Sequence, residues 1–363
     1  MVKKIAIISL IGIVIFLFSN FLQKEGKKSS SNVTPVSRTV PTTFSTPEVD
    51  RKVERLSTSI FVPYWADFKT SLSVENYDRV IYFGVAPDLD GYSKEEVGYQ
   101  KLEEFSLQTE GVEKLLTVRL LNSDINITLL KKKNYWPKII DETLKIAKNY
   151  KFNGIALDLE INGLPVIDIS GEINDFVKSF YTASRANNLN LTVILYGDVF
   201  FRKRPYDVSA LAATSDEIMI MAYDFHKSRG EPGPNFPLKG KEKYGYDYET
   251  LIEDFSVVPQ NKLSIIFGMY GYDWVVDEKK RPIKPAKSLT DLEIKKEFLD
   301  SCKWKNCVVM TNDLSSEKEV DYVDEDEQYH IVWFEDESSV EKKIEYLKGK
   351  GIGSYVYWAY GYF

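Results

Sequence analysis

The stretch Asn153-Gly154-Ile155-Ala156-Leu157-Asp158-Leu159-Glu160 alternates small or acidic residues with branched apolar ones. Period-two alternation marks a strand, because successive side chains point to opposite faces of it. Ile155, Leu157 and Leu159 then face covering helices, and Gly154, Ala156, Asp158 and Glu160 face an interior. Two neighbouring carboxylates at the inward end of a buried strand hinder each other's ionisation, so one is expected to keep its proton near neutral pH. A neutral acid beside an ionised carboxylate is what cleavage of a glycosidic bond requires. The other reading is two acids at a strand end, solvated or paired with Lys or Arg.

Outward from this stretch, short apolar runs alternate with helical patterns after residue 57. Strands are expected at 59–64, 79–85, 115–121, 154–160, 191–196, 217–223, 263–270 and 354–358, with helices at 136–150, 173–187 and 339–350 among others. Near-continuous apolar strands alternating with helices indicate a parallel sheet covered on its outer face. Eight units predict an α/β fold, a (β/α)8 TIM barrel; a doubly wound open sheet fits the same pattern. The gap between 270 and 354 is far longer than a crossover needs. A helical pattern at 291–300 and strand patterns at 307–311, 319–323 and 329–334 predict a small α+β insertion between strands 7 and 8. It spans about 276–334 and lies beside the active face.

Lys3 and Lys4 precede an apolar run over 5–18, and Phe21 and Leu22 follow before Lys24. Such a pattern signals export. No small-x-small cleavage site follows and no cysteine is there for lipidation, while the run through Leu22 approaches the length needed to cross a bilayer. Residues 1–22 are therefore expected to form an N-terminal hydrophobic helix that anchors the chain in a membrane, a cleaved signal peptide being the other reading. Residues 23–56 are rich in Ser, Thr, Pro and Lys and read as a disordered linker. The folded domain is 57–363, exported and either held at the cell surface or secreted.

A net charge of −7 argues against nucleic-acid binding. With two cysteines and two histidines in 363 residues, a Cys/His zinc site is excluded by inventory, and no metal or cofactor is expected. Cys302 and Cys307 either close one small disulfide loop or stay unpaired. The acidic run 321–327 lacks the ligand spacing of a calcium loop and reads as a solvated edge. His226 is placed near the rim, and His330, in an apolar strand, reads as structural. The 23 Tyr and 6 Trp give flat faces with polar tips, which suit sugar rings. A monomer is expected.

The 153–160 stretch resembles the Asp-Gly-x-Asp-x-Asp-x-Glu signature of glycoside hydrolase family 18, the chitinase-like barrels, and above all their spore-cortex and peptidoglycan-lytic branch. Further motifs follow in the family's order. Met221-Ala222-Tyr223-Asp224 is similar to its sixth-strand motif, and Gly233-Pro234-Asn235-Phe236-Pro237-Leu238 to the loop after it. Tyr270-Gly271-Tyr272-Asp273-Trp274 resembles the seventh-strand motif, and Val332-Trp333-Phe334-Glu335-Asp336 the segment before the last helix. Gly351-Ile352-Gly353 then leads to Trp358. The resemblance implies hydrolysis of β-1,4 bonds next to N-acetylglucosamine, with peptidoglycan or a chitin-like polymer as partner. Glu160 is implied as the proton-bearing general acid, Asp158 as the ionised group that orients the substrate's acetamide, and Tyr223 as a donor to the acetamide oxygen. Trp358 is implied as the floor under the sugar, with Tyr64, Asp224, Tyr270 and Tyr272 as lining residues.

Two positions depart from the signature. Its first Asp is Asn153 here, and its middle Asp is Ala156. In the family the middle residue shares a hydrogen bond with the next Asp, so Ala156 leaves Asp158 without that partner. The implied alternative is a weak or inactive carbohydrate-binding barrel.

Overall fold

The computed structural model describes residues 57–68, 70–161 and 168–363. The apolar segment and linker expected within 1–56 lie outside these residues. Among the described residues no helix is long and apolar enough to cross a membrane.

Eight parallel strands close into a barrel: β1 (Ser57–Pro63), β2 (Arg79–Val85), β3 (Glu113–Leu120), β4 (Gly154–Leu159), β5 (Asn190–Tyr196), β6 (Glu217–Met221), β7 (Leu263–Gly268) and β13 (Ser354–Trp358). Each strand follows its neighbour around the ring, and β13 closes it between β7 and β1. This is a (β/α)8 TIM barrel rather than an open sheet. Helices cover the outside through apolar stripes. Helix Trp136–Asn149 buries Trp136, Ile139, Ile140, Thr143, Ile146 and Ala147, spaced three and four apart on one face, and starts with a proline in its first turn.

The lower interior is polar. Arg79 of β2 donates two 2.8 Å hydrogen bonds to Glu217 of β6, and Thr192 and Ser264 add their hydroxyls to the same carboxylate. Burial alone would raise the Glu217 carboxyl, but Arg79 and the hydroxyls outweigh it and hold it below its ordinary value. The upper interior, at the carboxyl ends of the strands, is where β4 delivers its acids.

Beside the barrel lies a five-stranded antiparallel sheet containing β8 (Tyr270–Val276), β9 (Lys287–Thr290), β10 (Lys305–Thr311), β11 (Lys318–Val323) and β12 (Tyr329–Phe334), in the order β10-β11-β12-β8-β9. This is the small α+β insertion. One face of the sheet packs Val320, Tyr322, Val332 and Phe334 against Ile294 and Phe298 of the helical segment, and the other packs Trp274 and Val276 against Ile331 and Trp333. Cys302 and Cys307 form a disulfide at its edge. His330 stacks on Tyr322 and bridges Asp273 at 2.8 Å and Asp324 at 3.2 Å, so it is a satisfied structural residue. The run expected as one strand over 263–270 divides at Met269, whose N–H bonds to the Trp358 carbonyl. The chain leaves the barrel there and enters the second sheet at Tyr270.

A buried cluster of one lysine and two glutamates ties this sheet to the barrel. Lys343, in the helix Glu337–Gly349, pairs with Glu317 at 2.8 Å and with Glu335, and all three are fully buried. Glu317 also accepts the backbone N–H groups of Asn235 at 2.5 Å and Phe236 at 2.8 Å. The loop after β6 is thereby locked to the insertion.

Candidate active site

Asp158 is the last inward residue of β4, and Glu160 follows the strand directly. In register, Asp158 lies beside Arg119 of β3 and Ile194 of β5. Asp158 is only 4% exposed, and burial followed by repulsion from Glu160 raises its carboxyl well above the ordinary range, against a smaller pull from Arg119. The enclosed position thus favours the neutral form of the Asp158 carboxyl in the free protein. The sequence reading had Asp158 ionised beside a proton-bearing Glu160; burial of Asp158 works against its charge in the unliganded site. Glu160 Oε2 instead accepts a 2.6 Å hydrogen bond from the Tyr196 hydroxyl.

Tyr196 was not among the expected site residues. It ends β5 on the inward parity of Thr192 and Ile194, so alternation along that strand already pointed to it. The Arg204 guanidinium sits 3.7 Å from its ring centroid and is itself held by Asp198.

Asp158, Glu160, Tyr196, Tyr223, Asp224, Tyr270 and Trp358 line one hollow of about 240 Å³, together with Phe83, Leu121, Met221, Asp198 and Lys227. Trp358 packs edge-on against Phe83 at 4.8 Å between centroids, and its neighbour Trp65, 48% exposed, extends the aromatic wall outward. The Tyr223 hydroxyl is pushed well up by burial and then by Asp158 and Asp224, so it stays a proton donor. No hydrogen bond engages it among the described residues. Asp224 adopts a left-handed φ of 57°. Its N–H donates to Asn235 Oδ1 at 2.7 Å, and its carboxylate receives the hydroxyls of Tyr270 and, at 2.7 Å, Tyr272. Asn235, missed in the sequence, thus carries the constraint from Glu317 into the site.

Two expected lining residues stand elsewhere. Tyr64, just past β1, lies with its ring under the Arg119 guanidinium at 4.5 Å and does not line the hollow. Tyr272 reaches the site only through its hydroxyl on Asp224. His226 bonds the Pro234 carbonyl at 2.7 Å and serves the loop.

The two departures from the signature differ in consequence. Asn153 lies at the amino end of β4, where its side chain accepts the Lys114 N–H at 2.9 Å, a structural task that an amide performs. Ala156 is fully buried between Thr117 of β3 and Thr192 of β5. Near it, Asp158 Oδ1 and the Thr117 hydroxyl are both buried with no hydrogen-bond partner among the described residues. Each such orphan costs roughly 1–3 kcal/mol.

A closed (β/α)8 barrel with paired acids at its carboxyl end and an α+β insertion before the last strand defines a glycosidase-type scaffold. Residues 127–362 match the family described as Glycosyl hydrolases family 18, and the chain belongs to that family. Among curated relatives, the cortical fragment-lytic enzyme of Bacillus anthracis is 25% identical over 290 residues, covering 77% of this chain and 64% of the relative. The chain thus spans less than two thirds of that relative's length. Among solved structures, the Bacillus cereus spore cortex-lytic enzyme SleL aligns with a TM-score of 0.66 at 19% identity, over 85% of this chain and 71% of that one. The class V chitinase from Nicotiana tobaccum aligns with a TM-score of 0.70 at 18% identity, over 84% of this chain and 94% of that one. At these identities the two structures establish the shared fold.

Proposed function

We propose that this protein is a glycosidase that hydrolyses β-1,4 linkages next to N-acetylglucosamine by substrate-assisted, retaining catalysis. The observation that carries this reading is the convergence of Asp158, Glu160, Tyr223 and Trp358 on one hollow at the carboxyl end of the barrel. The sugar rests on the Trp358 face, and the Tyr223 hydroxyl donates to its acetamide oxygen. That oxygen attacks the anomeric carbon as the bond to the leaving oxygen breaks, so no enzyme nucleophile is needed. Glu160 supplies the proton that the leaving oxygen takes up.

Burial and the neighbouring Glu160 favour the neutral form of Asp158 in the free site. Positive charge growing on the acetamide favours an ionised Asp158, which leaves the proton to Glu160. Water, deprotonated by Glu160, then opens the oxazolinium ring and restores the acid, and configuration at the anomeric carbon is retained. Peptidoglycan is the favoured polymer, a choice supported by the similarity to cortex-lytic relatives and by the export pattern at 1–22; chitin-like oligosaccharides are the other candidate. The unpaired Asp158 Oδ1 supports a second reading, a barrel that binds the glycan and does not cut it.

The protein should release reducing ends from N-acetylglucosamine polymers. Glu160→Gln should lower turnover by roughly 10²–10⁴-fold while binding persists. A thiazoline mimic of the bicyclic intermediate should bind tightly, because it tests the acetamide pocket directly. Wild-type protein that binds glycan without releasing reducing ends would remove the enzyme reading and leave the binding one.

A further inference from the structure

The wall of the hollow beyond Tyr196 carries charge that the proposed cleavage does not use. Arg202, Arg204 and Lys227 gather there. The two arginines are spent on Asp198: Arg204 reaches it at 2.5 and 3.1 Å, and Arg202 at 2.5 Å. Lys227, in the loop after β6, has no such partner among the described residues. Its ammonium lies 5.7 Å from the Tyr196 ring centroid, and among the described residues it makes no ion pair or hydrogen bond. The Tyr196 hydroxyl holds Glu160 at 2.6 Å, so a single aromatic ring separates an unpaired cation from the acid.

The anions around Lys227 are otherwise occupied. Asp198 is shared by the arginines and Asp224 by two phenols. A half-buried ammonium without a counter-charge forgoes part of its hydration, and an incoming carboxylate restores that loss. A neutral N-acetylglucosamine polymer offers no such group. We propose that Lys227 makes the hollow selective for a glycan bearing a carboxylate on the sugar next to the scissile bond. This rests on the glycosidase reading above. The carboxylate has two sources in a muramyl-containing chain: the 3-O-lactyl acid itself and the peptide that caps it. Both present an anion beside the bond being cut, and a positive wall discriminates in their favour against chitin-like chains.

The test uses the full chain as wild type, Lys227→Met and Lys227→Arg. The probes are an N-acetylglucosamine–muramyl oligosaccharide with a free lactyl acid, its lactyl methyl ester, and the same glycan carrying a stem peptide. Both kcat/KM and the calorimetric Kd are measured at low and high salt. The wild type should prefer acid to ester by roughly tenfold, the worth of one charge-assisted contact. The preference should shrink in high salt, fall towards unity in Lys227→Met and persist in Lys227→Arg. Should the stem-peptide glycan match the acid, peptide carboxylates serve as the ligand; should it match the ester, the lactyl acid alone does.

An acid-to-ester ratio near one in the wild type, or one unchanged by Lys227→Met, overturns the proposal. So does a shifted pH–rate profile in Lys227→Met with the ratio intact, which would make Lys227 an electrostatic partner of Glu160. If the wild type cleaves none of the glycans, the glycosidase reading fails by itself, and the Kd ratio of acid to ester still decides the role of Lys227.

Discussion

Ala156→Asp puts a carboxyl into the barrel interior close to two buried polar atoms, Thr117 Oγ1 and Asp158 Oδ1, that have no hydrogen-bond partner among the described residues. Ala156 is flanked in register by Thr117 and Thr192. The Thr192 hydroxyl is already committed to Glu217 at 2.9 Å, whereas among the described residues the Thr117 hydroxyl and Asp158 Oδ1 have no partner. A third acid so close to Asp158 and Glu160 will be protonated at neutral pH. Its O–H then donates to Asp158, and its second oxygen accepts from Thr117. In the ground state, with Asp158 neutral, that bond is worth about 1 kcal/mol; to the ionised Asp158 of the transition state it is worth about 1.5–3 kcal/mol. Only the difference accelerates the reaction, and about 1–1.5 kcal/mol corresponds to roughly tenfold in kcat. Adding volume to a packed interior costs about 1–3 kcal/mol, which for a domain of this size lowers the melting midpoint by several degrees. Reducing-end release at saturating substrate, with a melt of the same preparation, measures both. An active wild type whose kcat is unchanged or lower in the variant would refute the argument, since some other group would then be holding Asp158. Activity rising from an undetectable base would mark the natural chain as a binder.

Other variants test separate parts of the account. Asp158→Asn should raise the melting midpoint at pH 7 and leave it unchanged near pH 4: a carboxyl raised on folding supports the fold below its unfolded pKa and loses that support as pH climbs through the raised value. Turnover should be lost at both pH values, and an equal shift in Tm at pH 4 and 7 would contradict the buried-proton assignment. Arg79→Met strips Glu217 of its bidentate partner inside the barrel, and chemical denaturation should show a loss of about 3–5 kcal/mol; a loss below 1 kcal/mol would mean the interior rehydrates. His330 has its pKa raised by Asp273 and Asp324, which outweigh the opposing effect of burial. Its contribution is complete below about pH 6.5 and fades as pH rises through the elevated pKa, so His330→Gln should lower Tm at pH 6 more than at pH 9. Equal losses at both values would make the contact one of shape alone.

Much of the fold was legible because strand and helix periodicities are local. Gly154 to Glu160 show their inward parity without any neighbour, and the same parity along 191–196 points at Tyr196. The division at Met269 was not legible. The run from Leu263 to Tyr270 is apolar apart from Ser264 and Gly268, and what makes Tyr270–Val276 a separate strand is its pairing with Tyr329–Phe334, far along the chain. The family resemblance implied Tyr64 as a lining residue, yet Arg119 from another strand claims its ring.

The sequence by itself determined the class of fold, the family and the identity of the paired acids, since each depends on residue types at short, fixed spacings. Contacts remote in the chain alone show that burial raises the Asp158 carboxyl, that Asn235 and Glu317 hold Asp224 in place, and that the Lys227 ammonium beside Tyr196 has no ion pair among the described residues. Those are properties of desolvation and of contacts between residues remote in the chain. Burial and Coulomb forces act through space, and spacing along the chain does not record them.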